Sequence, residues 1–133
     1  NARYLEALPE PIDFACVDVS FISLRLILPV VRNWLKPHGQ TVALVKPQFE
    51  AGRADVGKGG VVRSAEVHGR VLTTVMGYAI DEGFAVRGLM PSPILGPAGN
   101  VEFLLWLSCD QPDHPADLDT MTAAALGEAH APR

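Results

Sequence analysis

Two rhythms of apolar residues alternate along the chain, and together they predict its elements. "DFACVDVSF" is a short apolar run with aspartates around it, which predicts a strand at about 14–18. "SLRLILPVVRNWL" sets Leu24, Ile27, Leu28, Val31 and Leu35 at helical spacing, and Ser23 can cap the start. Pro29 inside that pattern calls for a late start or a kink at Arg25, and "KPHG" stops the helix. "QTVALVK" predicts a second strand at about 41–46, its unbroken apolar run indicating burial on both faces, as in a parallel sheet. From Pro47 to Arg63 no period is visible, and glycines stand at 52, 57, 59 and 60. Long loops of this kind usually carry function. Ser64 then caps a second helix with the stripe Val67, Val71, Val75 and Ala79, ended by Gly83. "FAVRGLMPSPI" and "VEFLLWLSC", joined by "LGPAGN", read as an antiparallel pair of strands. Asp117 to Gly127 can form a short helix with Leu118, Met121 and Leu126 inward.

The order is β-α-β-loop-α-β-β, half of an open α/β sheet. Ligands of such sheets bind beyond the carboxyl ends of the parallel strands. Asp18 and Lys46 stand at two of those ends.

Composition narrows the class. With 133 residues, 48% of them hydrophobic and 20% charged, the chain fits one folded domain. No apolar run reaches the roughly 18–20 residues of a membrane-spanning helix. Cys16 and Cys109 both lie in apolar strand-like runs and read as buried free thiols in a reducing cytoplasm. The formal net charge of −4 excludes a general nucleic-acid binder, but its distribution is uneven. Residues 46–70 hold Lys46, Arg53, Lys58, Arg63 and Arg70 against Glu50, Asp55 and Glu66, a net of +2, so the remainder carries −6. That segment is either an ordinary solvated loop or a local attractor for a polyanion. "GRADVGKG" nearly matches the phosphate-binding pattern G-x-x-x-x-G-K-[ST], but Gly59 stands where the hydroxyl residue is needed. The glycines instead suit tight turns and a close backbone approach to a ligand.

"VDVSFISL", "ALVKPQFEAGRADVGKGGVV" and "SPILGPAGNVEFLLWL", with "NARYL" at the start, resemble the C-terminal part of the TlyA (hemolysin A) family. That family belongs to the FtsJ/RrmJ-like, S-adenosylmethionine-dependent 2′-O-ribose methyltransferases. The resemblance covers about residues 1–108 and implies the C-terminal half of a Rossmann-like methyltransferase sheet; the remainder, 109–133, reads from its composition as an acidic tail. The family's catalytic set resembles Lys-Asp-Lys-Glu. Asp18 matches its aspartate, Lys46 its second lysine and Glu102 its glutamate, while the first lysine and the glycine-rich cofactor turn lie upstream in the family. The resemblance thus implies S-adenosylmethionine as cofactor of the intact protein, with Asp18 near its sulfonium, and ribosomal RNA as partner. It also implies that this stretch alone is inactive.

A ribose hydroxyl is too weak an acid to ionise at neutral pH, so methyl transfer to it needs a base or a nearby cation. A lysine ordinarily titrates at about 10.4, and only desolvation would make it a base. Lys46 suits either role, and a charged orienter that stabilises the alkoxide is favoured. Phe21 and Phe49 follow the two strand ends and can stack on a base or simply pack in the core. Arg53, Lys58 and Arg63 would meet RNA phosphates. His68 reads as a solvated helix residue. No metal site is indicated. The alternatives are a non-catalytic RNA-binding module, or the membrane-active protein that the family's older label suggests. A base N-methyltransferase is a further candidate, but "DVSF" lacks the prolines such enzymes carry. One more expectation concerns assembly. Phe14, Ala15, Cys16 and Val17 would form an apolar sheet edge that pairs with a second copy, unless Asn1 to Pro11 folds back over it.

Overall fold

The computed structural model describes residues 8–131. Its elements are β1 (Ile12–Val17), α1 (Leu24–Trp34), β2 (Leu35–Val45), α2 (Pro47–Glu50), α3 (Ala65–Asp81), β3 (Ala85–Pro91), β4 (Phe103–Ser108) and α4 (Leu118–Ala129). The sheet order is β1-β2-β4-β3. β1 runs parallel to β2, and β4 is antiparallel to both β2 and β3. The expected mixed α/β architecture and its closing antiparallel pair are therefore present, with the last strand inserted between its predecessors.

The helices form where the sequence supplies both a cap and an apolar stripe. Ser23 Oγ accepts the Arg25 N–H at 3.0 Å, and α1 buries Leu24, Ile27, Leu28 and Val31. Pro29 lies inside α1, which starts without delay at Leu24. Ser64 caps α3 through the Val67 N–H, and Val67, Val71, Val75 and Ala79 are buried as the stripe requires. α1 and α3 pack on one face of the sheet against Val17, Ala43, Val45, Phe103, Leu105 and Leu107. α4 joins them beside β3, contributing Ala125 to the same core.

Several expectations need correcting. β2 begins at Leu35, well before 41, and Leu35 is a buried strand residue rather than the end of a helix. Its pairing steps from Ile12–Leu35 to Phe14–Gln40, so residues 36–39 bulge out of the ladder. β2 is not buried on both faces. Its residues alternate, with Thr41, Ala43 and Val45 buried and Gln40, Val42 and Leu44 half-buried. The second face is open because no described helix covers it. Cys16 shares that face and is exposed, whereas Cys109 is buried as expected. Phe14, Val42, Leu89, Met90, Leu104 and Trp106 line a broad apolar depression of about 500 Å³ there. His68 is not solvated either but 1% exposed, because the tail and the end of the glycine loop close over its side of α3. Its Nε2 lies 2.9 Å from the Val62 carbonyl and its Nδ1 2.9 Å from His130 Nε2. Burial holds its pKa below the usual 6.5. Among the described residues no helix is long and apolar enough to cross a membrane.

Candidate active site at the strand ends

β1 and β2 run parallel, so their carboxyl ends open side by side. β1 ends at Val17 and β2 at Val45, which places Asp18 and Lys46 as the first residues beyond the sheet. Lys46 Nζ lies 2.5 Å from Asp18 Oδ1 and donates to Ser20 Oγ at 3.1 Å. The lysine is 9% exposed. Its aliphatic stem is thus packed while the ammonium is held between two oxygens. A buried ammonium persists only when it is paired in this way.

Glu102 immediately precedes β4 and is buried. It sits beside the pair without joining it. Gln48 Nε2 donates to Glu102 Oε2 at 2.8 Å, and among the described residues no ion pair links Glu102 to Lys46. Gly96 allows this placement, because a Cβ there would stand 2.2 Å from Glu102 Oε2.

Phe21 and Phe49 come together, with ring centroids 4.7 Å apart and planes tilted by 51°. Phe21 is 88% exposed and has φ 63°, a conformation that costs a bulky residue energy. The Phe21 ring is therefore displayed to solvent rather than packed in the core.

The segment after Lys46 is ordered. It contains α2, a 3-10 turn over Arg53–Asp55 and an isolated bridge between Gly57 and Val61. Gly59 and Gly60 both take positive φ, which lets the chain reverse tightly there. Arg53, Lys58 and Arg63 are all exposed, and among the described residues none enters an ion pair. Arg70 is drawn off by Asp55 at 3.1 Å.

Sequence reasoning missed Ser20, Gln48, Glu50 and Asn100. Asn100 is 2% exposed and ties two loops together. Its Oδ1 accepts the Val62 N–H at 2.9 Å, while Nδ2 donates to the carbonyls of Gly60 and Pro97. Glu50 accepts from Ser23 and from the Leu24 N–H. All four lie in the quoted motif blocks, but nothing local to the sequence says which side chain bridges to which loop.

The lysine–aspartate pair thus stands at the parallel strand ends, where open α/β folds bind their ligands. The sequence pattern of the FtsJ-like methyltransferases matches residues 1–109, and the chain belongs to that family. It is 54% identical over 106 residues to YqxC of Bacillus subtilis, covering 80% of this chain and 37% of that protein. It is 42% identical over 109 residues to the 16S/23S rRNA (cytidine-2′-O)-methyltransferase TlyA of Mycobacterium tuberculosis, covering 80% and 41%. The chain thus spans about two fifths of the length of these curated relatives. A solved structure of a Streptococcus thermophilus protein described as a hemolysin superposes with a TM-score of 0.84 at 47% identity, covering 98% of this chain and 48% of that one.

Proposed function

We propose that this chain supplies the Asp18, Lys46 and Glu102 part of the active centre of an S-adenosylmethionine-dependent methyltransferase that modifies the ribose 2′-OH of RNA, with ribosomal RNA as substrate. The observation that carries this reading is the Lys46–Asp18 pair, buried at the lysine and open at the aspartate, whose side chain is 69% exposed. The cofactor supplies a methyl group made electrophilic by a positive sulfonium. The residues present suit such a group, since the exposed Asp18 carboxylate is the kind of anion that a sulfonium accepts as neighbour.

The chain's own residues supply the rest. Lys46 acts as a charged orienter: its N–H groups stabilise the oxygen as negative charge develops on it. Asp18 and Ser20 fix where those N–H groups point. Glu102, held by Gln48, is an acceptor beside them for a donor of the substrate or of the rest of the protein. Phe21 and Phe49 stack against the base, and Arg53, Lys58 and Arg63 meet the phosphates. An rRNA substrate locates this work in the cytoplasm. On the same reading the chain by itself pairs with a second copy through the β1 edge, where Phe14 and Cys16 are exposed.

The test joins the chain to the remaining part of the Streptococcus thermophilus relative and assays transfer of labelled methyl to rRNA. Nucleoside mass spectrometry should find the methyl on ribose oxygen. Methyl on a base nitrogen, or full activity in Lys46→Ala, would overturn the proposal.

A further inference from the structure

Asp18, Ser20 and Phe21 lie on the segment between β1 and α1, and Lys46, Gln48 and Phe49 on the segment that becomes α2. The two segments are tied at one end by the Lys46–Asp18 pair. The other end is tied by Glu50. Its Oε1 accepts the Leu24 N–H at 2.8 Å and its Oε2 accepts the Ser23 hydroxyl at 2.7 Å. Ser23 Oγ in turn accepts the Arg25 N–H. The first free N–H of α1, that of Leu24, is therefore satisfied by a carboxylate 26 residues away in sequence, at the end where the helix dipole favours negative charge.

We propose that Glu50 is a positioning residue: through Ser23 and Leu24 it holds the 18–23 segment against α2, and so sets the Phe21 ring against Phe49 as a platform for a nucleobase. The positive φ of Phe21 falls inside the tied segment, three residues before Leu24. Strained backbone persists only where its surroundings over-determine it, and the Glu50 tie supplies that constraint. Among the described residues Glu50 bonds to Ser23 and Leu24, and Lys46 to Asp18 and Ser20, so Glu50 has no ion pair with the lysine. Its carboxyl is pushed above the usual value by burial, against the opposing pull of the Leu24 and Ser23 bonds and the Arg25 charge. A desolvated carboxylate is retained here for the bonds it makes.

The platform's role rests on the RNA reading above, so the experiment separates the two. Two readouts are taken on the purified chain: the ring-to-ring nuclear Overhauser effect between Phe21 and Phe49, and anisotropy of a short labelled single-stranded RNA. Glu50→Ala should lose the ring contact and weaken RNA binding about tenfold, the range of one stacked base. Glu50→Gln keeps an acceptor for Leu24 N–H and should retain the contact. If Glu50→Ala lowers helicity, Ser23→Asp, which keeps a cap acceptor for the Arg25 N–H but sets a like charge against Glu50 in place of the hydroxyl donor, replaces it and should still shift the Phe21 ring signals. A ring contact unchanged in both variants overturns the proposal, whatever RNA does. Loss of the contact in a chain whose wild type binds no RNA keeps the Glu50 tie and refutes the nucleic-acid reading instead.

Discussion

Replacing Asn100 by alanine tests whether one side chain organises the glycine loop. Asn100 makes three hydrogen bonds, but they do not weigh equally. Gly60 and Pro97 are exposed, so their carbonyls can turn to water once the amide is gone. Val62 is 2% exposed, and its N–H has no such recourse. A buried donor left without a partner costs about 1–3 kcal/mol, so the expected loss is ~2 kcal/mol. For a chain of this size that corresponds to a fall in melting temperature of roughly 6–10 °C. Urea unfolding followed by circular dichroism measures the first quantity and a thermal scan the second. Amide exchange supplies the local check: the Val62 N–H should lose protection far more than amides in the middle of α3. A destabilisation below about 0.5 kcal/mol, the noise of an ordinary surface substitution, would refute the reasoning. So would a Val62 amide as protected as in the wild type.

Other expectations follow from the same geometry. Lys46→Ala in the joined methyltransferase should lower turnover at least ~10²-fold, the typical loss of one preorganised donor, with the melting curve nearly unchanged. Gly96→Ala should destabilise by about 1–3 kcal/mol, measured by urea unfolding, because its Cβ would overlap Glu102 Oε2. His68 is held below 6.5 when folded, so in the window beneath 6.5 the unfolded chain binds a proton that the folded chain refuses. Stability should therefore decline as pH falls through that window, and His68→Phe, less stable throughout, should show a flatter decline in unfolding free energy measured at several pH values. Light scattering of the chain alone should give a dimer of the 14.3 kDa protomer; a monomer at high concentration would show that the β1 edge is protected.

Much of this molecule was legible in the chain. The helical stripes of α1 and α3 were readable because each buries one face only, and their serine caps mark the starts. The strand ends exposed Asp18 and Lys46 because a charge at the margin of an apolar run has few other places to go. The boundary at Leu35 was not legible: a leucine in phase with a helix is equally good as the first residue of a strand, and only pairing with Ile12 decides. Cys16 and Val42 look as apolar as their neighbours, so pattern alone could not say that one face of the sheet stays uncovered. The glutamine, glutamate and asparagine bridges at positions 48, 50 and 100 depend on which loops meet. That is a property of the closed fold rather than of any window of sequence.

The insertion of β4 between β2 and β3 also sets the order in which the chain can assemble. β1 and β2 can pair as soon as both exist, but the other edge of β2 has no neighbour until residues 103–108 arrive. Among the described strands β3 meets the sheet only through β4, so until then none of them lies beside it. During synthesis, therefore, a ribosome must release nearly the whole of the sheet-forming sequence before closure is possible. Pairings this distant along the chain fold slowly, and bare edges in the waiting state invite aggregation. Truncations ending before residue 103 should accordingly be the natural clients of chaperones.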